Sequence, residues 1–488
     1  MLLYGVSPAQ AQVPTTGKIV WAACPEDAKV QCGEMNVPAD WSNPAGPTVM
    51  LTVARRPALD PAHRIGVLMI NPGGPGGSAV DFTFDATTFF GEQVRKQFDI
   101  VGMDPRGVGR SSPVLCSQDL IDAKPSPLVE TPQQYAALID YNRRLAADCA
   151  SRSGPVFPHV DTGSVVRDMD AVRAALGEEK ISFYGASYGS LMGEEYAERY
   201  PTRLRALALD GVMDHTPNVG TFLVQETDAA QDAFREFVAW CARDTKCILH
   251  GRDVDQIWAG LMARARAGTL QNPYDLPEKL DPAGLAHAAF SAFYEPQWYS
   301  FAYYLKDAAG LKINGLKING LKINGLKIQA RSAPPADIKD HSFPAVICSD
   351  WYLPITGFPD LHRRLSILAA RAPQMLGSPL ALAATAGCLG WPNPPANPQH
   401  QLVPPAGLPP ILLVGTRHDP ATAYVWAQRM AQQFGPVASL LTYEGWGHVV
   451  YNRSKCVAAA TDRYLISLTR PVAGASCPPV EPQPFGVG

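Results

Sequence analysis

Residues 181–200 read I-S-F-Y-G-A-S-Y-G-S-L-M-G-E-E-Y-A-E-R-Y, and the rest of the chain is organised around them. The first four residues are a short apolar run with β-branched and aromatic character, which predicts a buried strand. The run leads into Gly185-Ala186-Ser187-Tyr188-Gly189, and then into Leu191, Met192, Glu195 and Tyr196 at helical spacing. A strand, G-x-S-x-G and a helix in this order form the context of a nucleophile elbow, where a sharp turn lifts the serine hydroxyl clear of the sheet. Gly185 and Gly189 leave room where a Cβ would collide with the adjoining strand or helix. A helix that starts at Ser187 also points unpaired N–H groups at an oxyanion formed there. Alone, the motif is equally compatible with a Gly/Ser turn in an ordinary β–α unit.

Upstream, residues 64–71 (R-I-G-V-L-M-I-N) form a continuous apolar run, as expected of a strand buried on both faces. It ends in P-G-G-P-G-G-S at 72–78, a turn that exposes bare backbone N–H groups. Phosphate binding is excluded because the lysine and hydroxyl of G-K-[ST] are missing. The other use of such a turn is to supply one N–H of an oxyanion hole, the second coming from the residue after the nucleophile. Residues 98–103 read as another buried strand, followed by D-P-R-G-V-G-R-S at 104–111, a turn expected to fix backbone geometry at the same edge of the sheet, with a direct catalytic role for Arg106 as the alternative. Short β-like runs at 30–37 and 49–55 suggest an antiparallel lead-in within 13–63. Residues 125–154 read as a helical or loop excursion, 165–177 as an amphipathic helix ending at a glycine, and 205–210 as the next strand.

From 213 to 404 the alternation of strand and helix stops. The segment is rich in Trp, Phe, Tyr, Ala and Pro, with helices predicted at 234–241 and 257–267, as in a helical cap inserted in a catalytic domain. Inside it, 310–328 repeats G-L-K-I-N three times and then G-L-K-I. A five-residue period fits neither helix nor strand, and Asn-Gly junctions favour turns, so a surface loop is expected. The sheet pattern resumes at 410–415, followed by T-R-H-D-P at 416–420. A helix is then expected at 422–434, a strand at 439–443, and E-G-W-G-H at 444–448.

Serine hydroxyls are weak nucleophiles near neutrality and need a base. Imidazole suits, provided a carboxylate holds its tautomer and stabilises the imidazolium. The order Ser187, Asp419, His448, each on a loop after a predicted strand, meets that need. Singly, Asp419 also reads as a helix N-cap and His448 as a packed turn histidine. Asp210 and Asp350 are the reserve carboxylates, and His418 is the reserve base.

Composition narrows the remaining options. Across 488 residues the chain is 46% hydrophobic and 18% charged, with a formal charge of −3. There is no basic stripe, which argues against nucleic acid. No run reaches the roughly 18 apolar residues of a membrane span. The ten cysteines, Cys24, Cys32, Cys116, Cys149, Cys241, Cys247, Cys348, Cys388, Cys456 and Cys477, include no C-x-x-C pair, so neither a zinc site nor a thioredoxin-like motif is indicated. Disulfides between neighbours along the chain are expected, although spacing does not fix connectivity and ten free thiols are the alternative. Disulfides imply an oxidising compartment, secreted or periplasmic. Residues 1–12 resemble the remnant of a signal peptide, with Ala9-Gln10-Ala11 as a small-x-small site, and an ordinary frayed terminus is the equal alternative.

The motifs together resemble the secreted tripeptidyl-aminopeptidase-like branch of the α/β-hydrolases, related to the proline iminopeptidases of peptidase family S33. The resemblance rests on N-P-G-G-P-G-G-S at 71–78, D-P-R-G-V-G-R-S-S-P at 104–113, G-A-S-Y-G at 185–189 and F-V-A-W-C-A at 237–242. It extends through A-V-I-C-S-D-W at 345–351, L-V-G-T-R-H-D-P-A-T at 413–422 and G-W-G-H at 445–448. The resemblance implies an α/β-hydrolase fold, with a mostly parallel central sheet split into 13–212 and 405–488 around a helical cap at 213–404. It implies Ser187 as nucleophile, Asp419 as orienter, His448 as base, and the N–H groups of Gly74 and Tyr188 as the oxyanion hole. No cofactor or metal is implied, and the expected partner is a peptide or small acyl substrate. An exopeptidase must also capture an α-ammonium group, for which Glu194, Glu195 and Glu226 are candidates, though the first two also read as helix-surface charges. An esterase or amidase with the same triad is the alternative, and a non-catalytic hydrolase-fold binding protein the third reading.

Overall fold

The computed structural model describes residues 17–275, 277–312 and 337–484. The segment read as a signal-peptide remnant lies outside these residues, and so does the pentapeptide repeat beyond residue 312. Twelve strands occur among the described residues: β1 (Ala22–Ala23), β2 (Gln31–Pro38), β3 (Thr48–Arg56), β4 (Gly66–Asn71), β5 (Phe98–Met103), β6 (Leu115–Ser117), β7 (Ile181–Ala186), β8 (Leu204–Asp210), β9 (Ile338–Asp340), β10 (Ile411–His418), β11 (Ala438–Trp446) and β12 (Ser476–Cys477). Ten of them form one sheet in the order β1-β2-β3-β5-β4-β7-β8-β10-β11-β12. The first three strands enter antiparallel, and every pairing from β5 to β12 is parallel. β6 and β9 make a separate antiparallel pair.

The central strands are largely apolar because both of their faces are covered. Met69, Val101, Phe183, Leu207, Leu209 and Leu413 point to one side. There they meet residues such as Val166, Met169, Leu191 and Trp426 from the helices Thr162–Ala175, Tyr188–Arg199 and Tyr424–Phe434. Their neighbours Leu68, Ile70, Ile100, Tyr184, Ala208, Leu412 and Val414 point to the other side, against Ala86, Val94, Val457 and Tyr464. This alternation of period two places successive residues of each strand in different cores.

Between β8 and β10 the regular elements among the described residues are helices except for β9, joined by loops. Asn218 starts the longest of these helices, Val219–Arg243, by accepting the N–H groups of Gly220 and Thr221 on its side chain. Helices Val254–Arg266, Pro282–Tyr294 and Trp298–Ala308 join it in a separate aromatic cluster containing Phe234, Phe237, Trp240, Trp258, Trp298 and Phe301. The helices Ser342–Asp350, Phe358–Arg371 and Pro379–Gly387 instead pack Val346, Leu361, Leu365 and Leu382 into the first core. The segment 213–404 is therefore divided between two hydrophobic clusters. Local boundaries also sharpen: the excursion at 125–154 contains the helix Pro132–Ser153, opened by a capping box of Thr131 and Gln134.

The ten cysteines pair as Cys24–Cys32, Cys116–Cys149, Cys241–Cys247, Cys348–Cys388 and Cys456–Cys477, each with its neighbour along the chain.

Candidate active site

Ser187 stands between β7 and the helix Tyr188–Arg199 with φ 57° and ψ −128°. This positive φ is unusual for a residue with a side chain and marks a strained turn. The turn is held from the next strand, since Ser187 N–H donates to the Asp210 carbonyl at 2.9 Å. The glycines on either side are required by close approach. A Cβ on Gly185 would lie 2.3 Å from the Gly189 carbonyl oxygen, and one on Gly189 would lie 2.7 Å from that of Asn71. The elbow thus presses directly on the end of β4, where the glycine-rich turn begins.

That turn is anchored at both ends. The Asn71 carboxamide oxygen accepts the Gly73 N–H at 2.8 Å. At the far end, buried Asp104 accepts the Ser78 hydroxyl at 2.7 Å and the Val80 N–H at 2.9 Å on one oxygen, and the Arg110 N–H at 2.8 Å on the other. A Cβ on Gly73 would fall 2.7 Å from the Tyr188 nitrogen, so the turn lies over the first N–H of the elbow helix. Helical geometry offers that N–H no internal acceptor. Arg106, from the D-P-R-G segment, lies away from this chemistry. It is fully buried, forks onto Asp168 with two 2.7 Å contacts, and donates to the carbonyls of Pro38 and Ala39. It is a structural clamp.

Asp419 and His448 meet at the ends of β10 and β11. His448 Nδ1–H donates to both Asp419 carboxylate oxygens at 3.0 Å. The same carboxylate accepts the N–H groups of Ala421 and Thr422 at 2.8 and 2.9 Å, and the Thr422 hydroxyl at 2.8 Å. His448 is buried, and with Nδ1 committed to Asp419 its Nε2 has no hydrogen-bond partner among the described residues. The ring rests on Gly211, where a Cβ would be 2.9 Å from Cε1. Gly211 directly follows Asp210, which holds the Ser187 N–H, so serine and imidazole flank the same stretch of backbone at the end of β8.

The reserve residues take other places. Asp210 Oδ2 accepts the N–H groups of Val450 and Tyr451 at 2.9 Å, bracing the loop that carries His448. Asp350 accepts the Tyr188 hydroxyl at 2.6 Å and both donors of Thr162 at 2.7 Å. His418 turns toward Asp232, 2.7 Å away on the helix Val219–Arg243.

The three candidate amine-binding carboxylates separate. Glu194 and Glu195, readable as helix-surface charges, are 1% and 7% exposed, which corrects that reading. A second layer drawn from 342–400 covers the outer face of their helix: the Asn397 amide donates to Glu195, and burial followed by the charge of Asp350 pushes Glu195 up to about 8. Glu226 belongs to the other side. Its Oε2 accepts the Ser378 hydroxyl at 3.0 Å, and its Oε1 is buried without a partner. Burial, then the negative charge of Asp419, raises its pKa far above the carboxylate range.

Three contributors to this site carry weak sequence signals. Thr422 belongs to the D-P-A-T turn, and its side-chain bond to Asp419 follows a common turn pattern. Tyr294, whose carbonyl accepts the His448 N–H at 2.7 Å and whose ring sits edge-on to the imidazole at 4.9 Å, lies more than 150 positions before it and carries no local signal. Arg453 donates to the carbonyls of His448 and Val449 at 2.9 and 2.8 Å and so shapes the same loop.

The family described as TAP-like protein matches residues 373–477. The chain is 32% identical to serine protease Hip1 of Mycobacterium tuberculosis, over 91% of this chain and 87% of that protein. It is 33% identical to carboxylesterase B of the same organism, over 92% and 86%. It is also 28% identical to the tripeptidyl aminopeptidase of Streptomyces lividans, over 97% and 89%.

Proposed function

Because the chain belongs to the tripeptidyl-aminopeptidase-like family of α/β-hydrolases and is a serine hydrolase, we propose that it is an exported exopeptidase that releases short peptides from free N-termini through an acyl-enzyme on Ser187. The observation that carries this reading is the His448–Asp419 pair, with Nδ1 bonded to the carboxylate, Nε2 unpartnered, and the ring resting on Gly211, next to the Asp210 carbonyl that holds the Ser187 N–H. In this mechanism Nε2 takes the hydroxyl proton as Ser187 Oγ attacks the scissile carbonyl. Asp419 stabilises the imidazolium, and the N–H groups of Tyr188 and Gly74 receive the developing oxyanion. His448 then returns the proton to the departing amine, and water, activated by the same imidazole, releases the acyl group.

Residues 213–404 act as a cap over the rim, with Tyr294 supporting the imidazole from above. A cap of this kind excludes folded proteins and admits chain ends. Glu226 supplies the recognition charge for the substrate ammonium: it feels the charge of Asp419, whereas Glu195 belongs to the separate polar cluster around Asp350 and Glu194 lies beside Asp214 and Glu195. A carboxyl held protonated by burial ionises when a cation arrives to pair with it. Five disulfides support an extracytoplasmic location, and no described helix is long and apolar enough to cross a membrane.

Carboxylesterase B among the relatives favours the second reading, a hydrolase of small esters with the same triad. Free-amine tripeptide anilides, their N-acetylated counterparts and p-nitrophenyl esters decide between them. The exopeptidase reading predicts hydrolysis of the free-amine peptides, little of the blocked ones, and a KM raised roughly 10- to 100-fold by Glu226→Gln for free-amine peptides alone. Turnover confined to esters overturns it.

A further inference from the structure

Cap and catalytic loops meet at a place the hydrolysis does not use. Asp232 and Glu236 are four residues apart on Val219–Arg243, so their side chains share one helix face. His418, the last residue of β10, faces them. One donor atom from each of the three lies within 4.8 Å of the other two. His418 Nδ1 is 2.7 Å from Asp232 Oδ2, and Glu236 Oε2 accepts the Trp446 indole N–H at 2.7 Å.

The charges here are poorly balanced. Two carboxylates at this spacing repel. Among the described residues no lysine or arginine forms an ion pair with either of them: Arg235 lines the adjoining cavity but is exposed and pairs with neither, and three other guanidiniums are engaged elsewhere. Arg371 forks onto Asp228 at 2.9 and 2.6 Å, Arg417 onto Glu444 at 3.0 and 3.1 Å, and Arg243 contacts Glu481 at 3.2 Å. Asp232 also borders an open cavity of about 540 Å³ lined with Asp228, Gln231, Arg235 and Arg371, which gives a small ion a route from solvent.

We propose that Asp232, Glu236 and His418 bind a divalent transition-metal ion, with zinc the best match, and that the bound ion ties the cap helix to the loop carrying Asp419. Two carboxylate oxygens and one imidazole nitrogen leave a fourth position for water, a set zinc accepts and magnesium does not prefer. Donors on a tetrahedral zinc stand roughly 3.4 Å apart, so the three side chains close on the ion with modest rotations. The ion takes the place of the proton now shared between His418 and Asp232. Its effect reaches the chemistry by two short paths. His418 immediately precedes Asp419, and its carbonyl accepts the Gly447 N–H at 3.3 Å, next to His448. Holding the cap helix to this strand end restricts the cap movement that admits substrate, so the ion acts as an inhibitory latch. Sequence reading finds no metal pattern because the ligands are 182 positions or more apart between helix and loop, without the close spacing of a ligand motif.

Titration calorimetry of the untagged protein with zinc chloride, paired with turnover of a p-nitrophenyl ester, tests the proposal whatever the natural substrate is. The expected result is one zinc per chain, tighter binding at pH 8 than at pH 6 as the proton leaves Nδ1, and reversible loss of turnover that a chelator restores. Asp232→Asn and Glu236→Gln should each weaken zinc binding at least as much as the roughly 10- to 100-fold that follows loss of a ligand's supporting partner, while metal-free turnover stays near that of the parent. Absence of a zinc-binding heat, or unchanged affinity in both variants, overturns the site. Zinc binding that leaves turnover unaltered overturns the latch.

Discussion

Around Ser187 the chain touches itself backbone to backbone, whereas in the aromatic cluster built by residues 230–308 it does so side chain to side chain. At the rim, glycines 73, 185 and 189 leave no room for a Cβ, and carboxylates such as Asp104, Asp210 and Asp419 each gather two or more donors. In the cluster the contacts are rings: Phe237 lies 4.9 Å from Phe301, and Trp240 lies 4.7 Å from Tyr299 and 5.5 Å from Trp298. The first kind of contact fixes positions to fractions of an ångström, as chemistry demands. The second supplies buried apolar area and tolerates redistribution. Activity and stability should therefore respond to mutation in opposite order in the two regions.

The largest effect belongs to the rim. Ser187→Ala should lower kcat by roughly a millionfold with no loss of fold, measured by anilide hydrolysis alongside circular dichroism. Residual activity within tenfold of the parent would mean that another group is the nucleophile. A sharper contrast comes from a matched pair. Gly189→Ala sets a methyl 2.7 Å from the Asn71 carbonyl and 2.8 Å from its side-chain oxygen, pushing the glycine-rich turn off its position. It should cost about a hundredfold or more in kcat/KM. Trp240→Ala, by contrast, should destabilise the protein by about 3–5 kcal/mol in denaturant unfolding while folded enzyme keeps most of its kcat. If both variants lose stability and activity in the same proportion, the division between the two regions fails.

The same division explains how much was legible in the sequence. Strands β4, β5, β7, β8, β10 and β11 are readable because burial on both faces leaves unbroken apolar runs such as 66–70 and 411–414. The facing of Asp419 and His448 is readable too, since each follows a strand and neighbouring parallel strands deliver such loops to one edge. Side-chain contacts do not announce themselves in this way. Pro282–Tyr294 is so rich in Ala and Phe that it has little polar face, so periodicity fails, and nothing local marks Tyr294 as the support of His448. Glu195 looks like a surface charge because the layer that covers it arrives about 150 to 200 positions later, through Asp350 and Asn397.

Thr422 tests the rim at finer scale. Its hydroxyl donates to Asp419 at 2.8 Å and lies 3.3 Å from His448 Nδ1. Thr422→Val keeps the volume and removes the donor. The carboxylate retains its backbone donors, so the expected loss is about tenfold in kcat with KM little changed. A rise in KM alone would instead indicate that Thr422 touches substrate.

The smallest effect lies on the far side of the elbow helix, where the protein buries a carboxyl group that the proposed reaction does not use. Burial, then the negative charge of Asp350, pushes Glu195 up to about 8, against about 4.3 for a glutamate in the unfolded chain. Between those values the native state keeps a proton that the unfolded chain has released, so unfolding binds fewer protons and stability falls as pH rises. The contribution is complete below about pH 4 and is gone once the pH has passed through the folded value. Glu195→Gln holds the neutral form at every pH and preserves the contact with Asn397. Thermal unfolding followed from pH 5 to pH 9 should show the parent's Tm declining more steeply than the variant's, while kcat/KM at neutral pH is nearly unchanged. Parallel curves would mean that Glu195 is ionised in the native protein, with Asn397 and His400 offsetting its burial.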